Sequence, residues 1–310
     1  MPAACRIAVL LSCLILFPLA GCGDDDESEA PPTATPVNTP TPTATPQGGS
    51  AAAGETAFYE TLLGVADRNE EALTHLSAAV AQDPQDGRSW FLKGMTHLWR
   101  LARVWTDVEN PGDFVAAEIV PAREALEHAV PLVPEDTRIP GFHGAARYNE
   151  GIILDDAAIA ADGLRLMREA MSLNFLFNSF DFVGTVPFVV RGDDPLMAES
   201  LDYLERGLMM IDQCTPRICG NEGYAPHNGE GTFVLFGDLY AKAGNRARAL
   251  EFYSVSETLG AGGNWRYKDL LAERIRDIDL RIALYTDAER GNDPPLIGQG
   301  PEACSYCHYQ

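Results

Sequence analysis

Apolar residues recur at three- and four-residue spacing through most of residues 55–290, and polar residues occupy the positions between them. Ala72, Leu76, Ala79 and Val80 are one example, because they fall on a single face of a helix. No segment shows the clear alternation of apolar and polar residues that a half-buried strand requires. The pattern therefore predicts an all-α domain over residues 55–290.

The helical positions also repeat along the chain. One pattern recurs in the same order: a small residue, a large residue, a second small residue and then a proline. Glycines and aromatic residues precede this pattern at matching positions. The second helices contain Ala72, Leu76, Ala79 and Pro84, then Ala122, Leu126, Ala129 and Pro134; first-helix positions hold Trp90, Gly94 and Gly144; the most complete unit has Phe233, Gly237, Tyr240, Gly244, Ala249 and Tyr253. The second set lies further along the chain than the repeat spacing requires, which predicts an insertion around residues 102–118.

These positions resemble the tetratricopeptide repeat (TPR) over most of residues 57–285. The resemblance implies a helical-hairpin array, either an α-solenoid or an irregular helical bundle, with a concave face that binds proteins or extended ligands. It implies no chemistry of its own. Segments 163–175 and 198–212 depart from the pattern, which leaves the number of repeats open. A generic helical bundle whose alanines match by composition is the alternative.

The first residues have the composition of an export signal. Arg6 precedes an apolar run, Ile7 to Leu16, that is too short to span a bilayer comfortably. Leu19-Ala20-Gly21-Cys22 then resembles the lipobox of bacterial lipoproteins. The resemblance implies that residues 1–21 are removed and that Cys22 is acylated, which anchors an exported protein to a membrane on its periplasmic side or at the cell surface. An ordinary signal with a chance cysteine, or a short membrane anchor, is the alternative.

Residues 22–54 have the composition of a tether. An acidic run, Asp24-Asp25-Asp26-Glu27, leads into repeated Thr-Pro and Pro-Thr pairs with almost no apolar side chains. Such a segment has too little apolar surface to form a core, so we expect it to be disordered. In the extended polyproline form its proline-rich part, about 20 residues long, reaches roughly 60 Å.

The tail, residues 291–310, contains the most specific chemical signal. It ends in Cys304-Ser305-Tyr306-Cys307-His308, which is the C-x-x-C-H pattern for covalent haem attachment. The two thiols can add to one porphyrin, and His308 can bind the iron as its proximal ligand. The expected cofactor is therefore one haem c on a coil-like tail. A tail disulfide, a free dithiol or another metal is the alternative.

A haem on the tail needs a second axial ligand or an open coordination site. His143 and His227 are the candidate distal ligands, and Met209 and Met210 are weaker ones. For each of them a satisfied or surface side chain is the alternative.

Cys214 and Cys219 enclose the short segment Thr215-Pro216-Arg217-Ile218. In an oxidising compartment two thiols this close most simply form a small-loop disulfide. A catalytic redox pair is the alternative, although such pairs usually have the shorter C-x-x-C spacing at the start of a helix.

The stretch Leu173 to Val190 is rich in phenylalanine. These rings either line an apolar groove for haem or another ligand, or fill the core.

The formal net charge of −22 argues against nucleic acid and against direct contact with anionic lipid headgroups. It suits a basic protein partner. Short motifs of zinc proteases, serine hydrolases and nucleotide-binding loops are absent from the sequence, so we predict a protein without enzymatic activity of its own.

Together these features predict a membrane-anchored, exported scaffold that binds other proteins and uses a haem for electron transfer. Two alternatives remain open. One is a haem-free interaction module with a tail disulfide, and the other is a ligand-delivery lipoprotein associated with a transporter, with the phenylalanine-rich stretch as its pocket.

Overall fold

The computed structural model describes residues 49–104, 112–210, 229–260, 265–287 and 294–297. Within these ranges every regular element is a helix, which confirms the predicted all-α class. The α-helices are α1 (Gly49–Leu62), α2 (Asn69–Gln82), α3 (Gly87–Val104), α4 (Gly112–Leu132), α5 (Ile139–Ile153), α6 (Ala157–Leu173), α7 (Phe175–Val183), α8 (Pro195–Met209), α9 (Gly229–Lys242), α10 (Arg246–Gly260), α11 (Lys268–Arg276) and α12 (Ile278–Thr286). A short 3-10 helix, Val186–Phe188, follows α7.

Helices that are neighbours in sequence pack as hairpins. The most extensive contacts join α1 to α2, α3 to α4, α5 to α6 and α9 to α10. Contacts of α2 with α3 and of α4 with α5 connect the first three hairpins into an array. The predicted helical-hairpin architecture is therefore confirmed.

A glycine in the first helix of each hairpin faces a large residue of the second helix. The pairs are Gly54 with Leu76, Gly94 with Leu126, Gly144 with Met167 and Gly237 with Tyr253. A Cβ atom added at Gly94 would lie 2.7 Å from Leu126 Cγ, which is too close for the two helices to keep their spacing. The repeat positions assigned in the sequence at Gly94, Gly144 and Gly237 thus lie where paired helices are in close contact.

The predicted insertion falls between α3 and α4. Helix α3 continues to Val104 and α4 begins at Gly112, so residues 102–118, where an insertion is predicted, include the end of one helix and the start of the next. Residues 105–111 lie outside the described ranges.

Helix α1 begins at Gly49, inside the segment assigned to the tether by composition. Alanine is the strongest helix former, and Ala51, Ala52 and Ala53 lie in the first turns of α1. Gly54 then packs against Leu76, so the helical domain starts earlier than residue 55. Composition concealed this because the segment lacks large apolar side chains.

Helix α7 is buried on every side. All residues from Leu176 to Val183 are buried, and Phe180 and Phe182 have no exposed surface. Phe188 in the following 3-10 helix is buried as well. The phenylalanine-rich stretch is therefore core, as the second of its two interpretations predicted, and its rings pack against other core residues.

The C-terminal end of the array is covered by shorter elements. Helices α11 and α12 pack against α9 and α10. Residues 294–297, here called the tail segment, have no helical structure, but the side chains of Leu296 and Ile297 are only 2% exposed. This part of the tail is coil, as predicted, and its residues Leu296 and Ile297 belong to the hydrophobic core.

Candidate functional site

Most residues predicted to carry chemistry lie outside the described ranges. They are Cys22, Cys214, Cys219, His227, Cys304, Cys307 and His308. The described residues nearest in sequence to the C-x-x-C-H motif are those of the tail segment. The candidate functional site is therefore the group of residues that binds the tail segment.

Five buried polar side chains from four helices form a connected cluster that binds the tail segment. Asp238 comes from α9, Tyr253 from α10, Arg274 from α11, and Arg281 and Tyr285 from α12. We call this group the tail site. Nearly the whole of α9 is buried, so Asp238 lies inside the protein with no exposed surface.

The tail site binds the main chain of the tail segment. The amide of Ile297 donates a hydrogen bond of 2.7 Å to Asp238 Oδ2. The carbonyl of Pro295 accepts hydrogen bonds from Arg281 Nη2 at 2.9 Å and from Arg274 Nη2 at 3.1 Å. One carboxylate and two guanidinium groups thus satisfy polar main-chain groups in a buried setting.

The other oxygen of Asp238 is shared among the remaining side chains. Tyr253 donates a hydrogen bond of 2.6 Å to Oδ1, and Arg274 Nε lies 3.2 Å from the same atom at ion-pair distance. Arg281 Nη2 lies 3.7 Å from Oδ1 and donates a 2.6 Å hydrogen bond to the hydroxyl of Tyr285. Burial, and next the charge of Asp238, raises the pKa of Tyr253 well above its ordinary value, so its hydroxyl remains a donor.

Two buried guanidinium groups share one buried carboxylate at this site. Removing such charges from water costs several kcal/mol for each ion unless partners replace the lost hydration. The Pro295 carbonyl is one of those partners, since it accepts from both arginines. The tail segment therefore supplies part of the hydrogen bonding of this polar core, while the Nε atoms of both arginines make no hydrogen bond.

The anchored segment limits where the haem motif can lie. Residues 298–303 separate Ile297 from Cys304. A fully extended chain advances at most about 3.6 Å per residue, so the Cα atom of Cys304 lies within about 25 Å of that of Ile297. The two thiols and the imidazole of the motif are the donor set that a c-type haem requires.

His143, a predicted distal ligand, is half-buried on α5. Burial lowers its pKa below the ordinary value, which favours the neutral imidazole that a metal requires. However, α5 packs on α4, α6 and α7, whereas the tail segment is bound by α9, α11 and α12. The structure places His143 and the tail segment on different groups of helices.

The other described histidines have packing or surface contacts. His97 Nδ1 lies 2.6 Å from Glu118 Oε2, and the His128 ring stacks on Trp90 at 4.6 Å between centroids. His75 lies 3.8 Å from Glu71 at the surface of α2. Met209, a weaker candidate ligand, is 75% exposed at the end of α8.

Within the described ranges, no three histidine, cysteine, aspartate or glutamate side chains lie close enough together to hold a metal ion. Each helix in the same ranges is too short or too polar to cross a bilayer. No protein-family model, curated protein or solved structure matches this chain. The function must therefore be inferred from its own residues and geometry.

Sequence reasoning did not identify the tail site. One signal was present, because the run from Phe233 to Ala241 is apolar on all sides apart from Asp238. A helix of this kind is buried, and a charge within it needs buried partners. The run predicts that Asp238 is internal, but it does not predict which residues pair with it.

Proposed function

We propose that this protein is an exported, membrane-anchored scaffold of the TPR type that binds other proteins and carries one covalent c-type haem for electron transfer. The C-x-x-C-H motif of the tail carries the proposal, because it combines two thiols and an imidazole at the spacing that haem attachment needs. The anchored tail segment supports it, since it keeps the motif within about 25 Å of a fixed point of the domain.

Cys304 and Cys307 would hold the haem covalently, and His308 would bind its iron. A bound haem supplies one-electron transfer, while the protein sets its position, its exposure to water and its axial ligands. In this arrangement the haem is connected through residues 298–303 to the tail segment, which α9, α11 and α12 hold.

The lipobox-like sequence and the tether support a location at a membrane. Cys22 would hold the chain at the membrane, and the proline-rich tether would separate the helical domain from the lipid surface. The net charge of −22 favours a basic protein as the redox partner. The helical hairpins would supply the surface for other proteins.

The test is the mass of the C-terminal peptide after export together with a cytochrome c maturation system. We expect the wild-type peptide to gain the mass of one haem, and the protein to show the matching visible absorption. The double variant Cys304→Ala, Cys307→Ala should lose both. The matched control, Cys214→Ser with Cys219→Ser, removes two other thiols and should keep both.

An unmodified tail peptide from the wild-type protein would contradict the proposal of haem attachment. A peptide lighter by two hydrogen atoms would identify a tail disulfide instead. The protein would then be a haem-free interaction module with the same fold.

A further inference from the structure

The tail segment is recognised through its main chain. Its sequence, Pro294-Pro295-Leu296-Ile297, has no polar side chain. The two polar groups bound by the tail site are the carbonyl of Pro295 and the amide of Ile297, which lie two residues apart. The intervening and terminal side chains, Leu296 and Ile297, are buried. The segment is therefore bound through its main chain, with two apolar side chains buried beside the bound groups.

The tail site presents the complementary groups on helices that precede the segment in the chain. Asp238 is the acceptor for the amide, and Arg274 and Arg281 are the donors for the carbonyl. Asp238 is fully buried, and the two arginine side chains are 5% and 7% exposed. Tyr253 and Tyr285 bond to these charged groups and hold them in place. The binding groups are thus oriented by the helical core.

We propose that the tail site is an intramolecular peptide-binding site that takes the apolar segment 294–297 through its main chain, and so fixes the start of the chain that leads to Cys304. The contacts of the segment with Asp238, Arg274 and Arg281 are independent of any haem. Only the consequence for a haem depends on the proposed function.

The experiment empties the site in the full-length protein and refills it with a peptide. The variant Leu296→Asp places a charge where an apolar side chain is buried, so we expect the tail segment to leave the site. A fluorescent peptide with the sequence of residues 290–300 is then added, and binding is followed by anisotropy. The matched control peptide has proline in place of Ile297, which removes the amide that Asp238 accepts, and a second control peptide has valine there, which keeps it.

We expect the Leu296→Asp protein to bind the natural peptide and the valine peptide at least about tenfold more tightly than the proline peptide, because only these two donate to Asp238. The wild-type protein should bind the natural peptide at least about tenfold more weakly than the variant does, since its own tail segment fills the site. Equal binding of the natural and proline peptides would overturn the proposal, and so would equal binding by the two proteins.

Amide exchange in the wild-type protein gives a second measurement that needs no variant. The amide of Ile297 should exchange at least about a hundredfold more slowly than in the free peptide, as buried hydrogen-bonded amides do. Exchange at the rate of the free peptide would overturn the proposal even if Leu296→Asp did not fold. Protection that rises with protein concentration would also overturn it, because the tail would then be bound by a second copy.

Both measurements are made on protein without haem and on protein exported with the maturation system. Peptide binding in the haem-free protein tests the tail site alone, while the mass of the tail peptide tests haem attachment. A failure of the peptide-binding proposal can therefore be distinguished from a failure of the haem proposal.

Discussion

The α5–α6 hairpin and the C-terminal end of the array are stabilised in different ways. In the hairpin, Gly144, Gly151 and Gly163 allow the two helix backbones to approach, and an added Cβ at Gly144 would lie 2.7 Å from Met167 N. At the C-terminal end, Asp238 and two arginines form a charged cluster inside the core. The hairpin depends on contacts between sequence neighbours, whereas Asp238 and Ile297 are 59 positions apart.

This difference reflects the position of each region in an array. An internal hairpin such as α5–α6 is covered by helices on either side, here α4 and α7, so close packing between its own two helices is sufficient. The last hairpin, α9–α10, has no further hairpin after it within the described ranges, and α11, α12 and the tail segment cover it instead. Terminal units of helical arrays need such a cap, and here part of the cap is a polar cluster.

Removal of the Asp238 carboxylate should produce the largest effect. Asp238→Ala leaves Arg274 and Arg281 buried without their anion and the Ile297 amide without its acceptor. Loss of one partner from a buried ion pair costs about 3–5 kcal/mol of unfolding free energy. Urea unfolding followed by circular dichroism measures the change.

The control for this variant is Asp279→Ala. Asp279 forms a 2.7 Å ion pair with Arg246 on the surface, where its side chain is 73% exposed. Exposed pairs contribute little, so we expect no measurable change in the urea midpoint. Similar losses for the two variants would show that burial of the charge is not what stabilises the C-terminal end.

A side chain at Gly163 should produce the next largest effect, in the other region. The Cβ of Gly163→Ala would meet the main chain of Tyr148, which cannot move unless α5 moves. Overpacking of this kind costs about 1–3 kcal/mol, and it outweighs the gain of about 1 kcal/mol from the better helix propensity of alanine. Unfolding in urea measures this loss as well.

Gly260→Ala is the matched control at the end of α10. There an added Cβ would lie 3.6 Å from Glu230 Cγ, which is an ordinary contact. We expect unchanged or slightly higher stability, as helix propensity alone predicts. If both alanine variants were equally stable, the close approach of α5 and α6 would not depend on glycine.

The contacts between helices that are neighbours in the chain were predictable from the sequence. Ala72, Leu76, Ala79 and Val80 were assigned to one apolar helix face, and all four are buried in α2. Gly94 and Gly237 were assigned to first-helix positions, and each faces a large residue of the partner helix. Periods of three and four residues report which side of a helix is buried, and this depends mainly on neighbours in the chain.

The contacts between the tail segment and the distant helices that bind it were not predictable in the same way. The turn signals before Cys304 predicted coil, and the tail segment is coil, but its burial depends on partners in α9, α11 and α12. Sequence spacing carries no information on such partners. Arg274 also appeared ordinary, because α11 is rich in charged residues and most of those residues face water.

The smallest expected effect is a pH dependence in the α5–α6 region. Burial lowers the pKa of His143; Arg123 and Arg147 lower it further, while Glu127 and Asp162 act in the opposite direction. Because the folded pKa lies below that of the unfolded chain, the unfolded chain takes up a proton first as the pH falls below about 6.5. The folded state is therefore most stable above this pH and loses stability below it, towards the folded pKa.

His143→Gln removes the titrating group but keeps a polar side chain at the same position. We expect the wild-type urea midpoint to fall more between pH 8 and pH 5 than the midpoint of the variant. Losses from the protonation of carboxylates are common to both proteins, so the difference between the two falls isolates His143. Equal falls would mean that His143 reaches water in the folded protein as it does in the unfolded chain, and the packing of α5 against α4 and α6 would then be looser at this position than at the glycine contacts of the same hairpin.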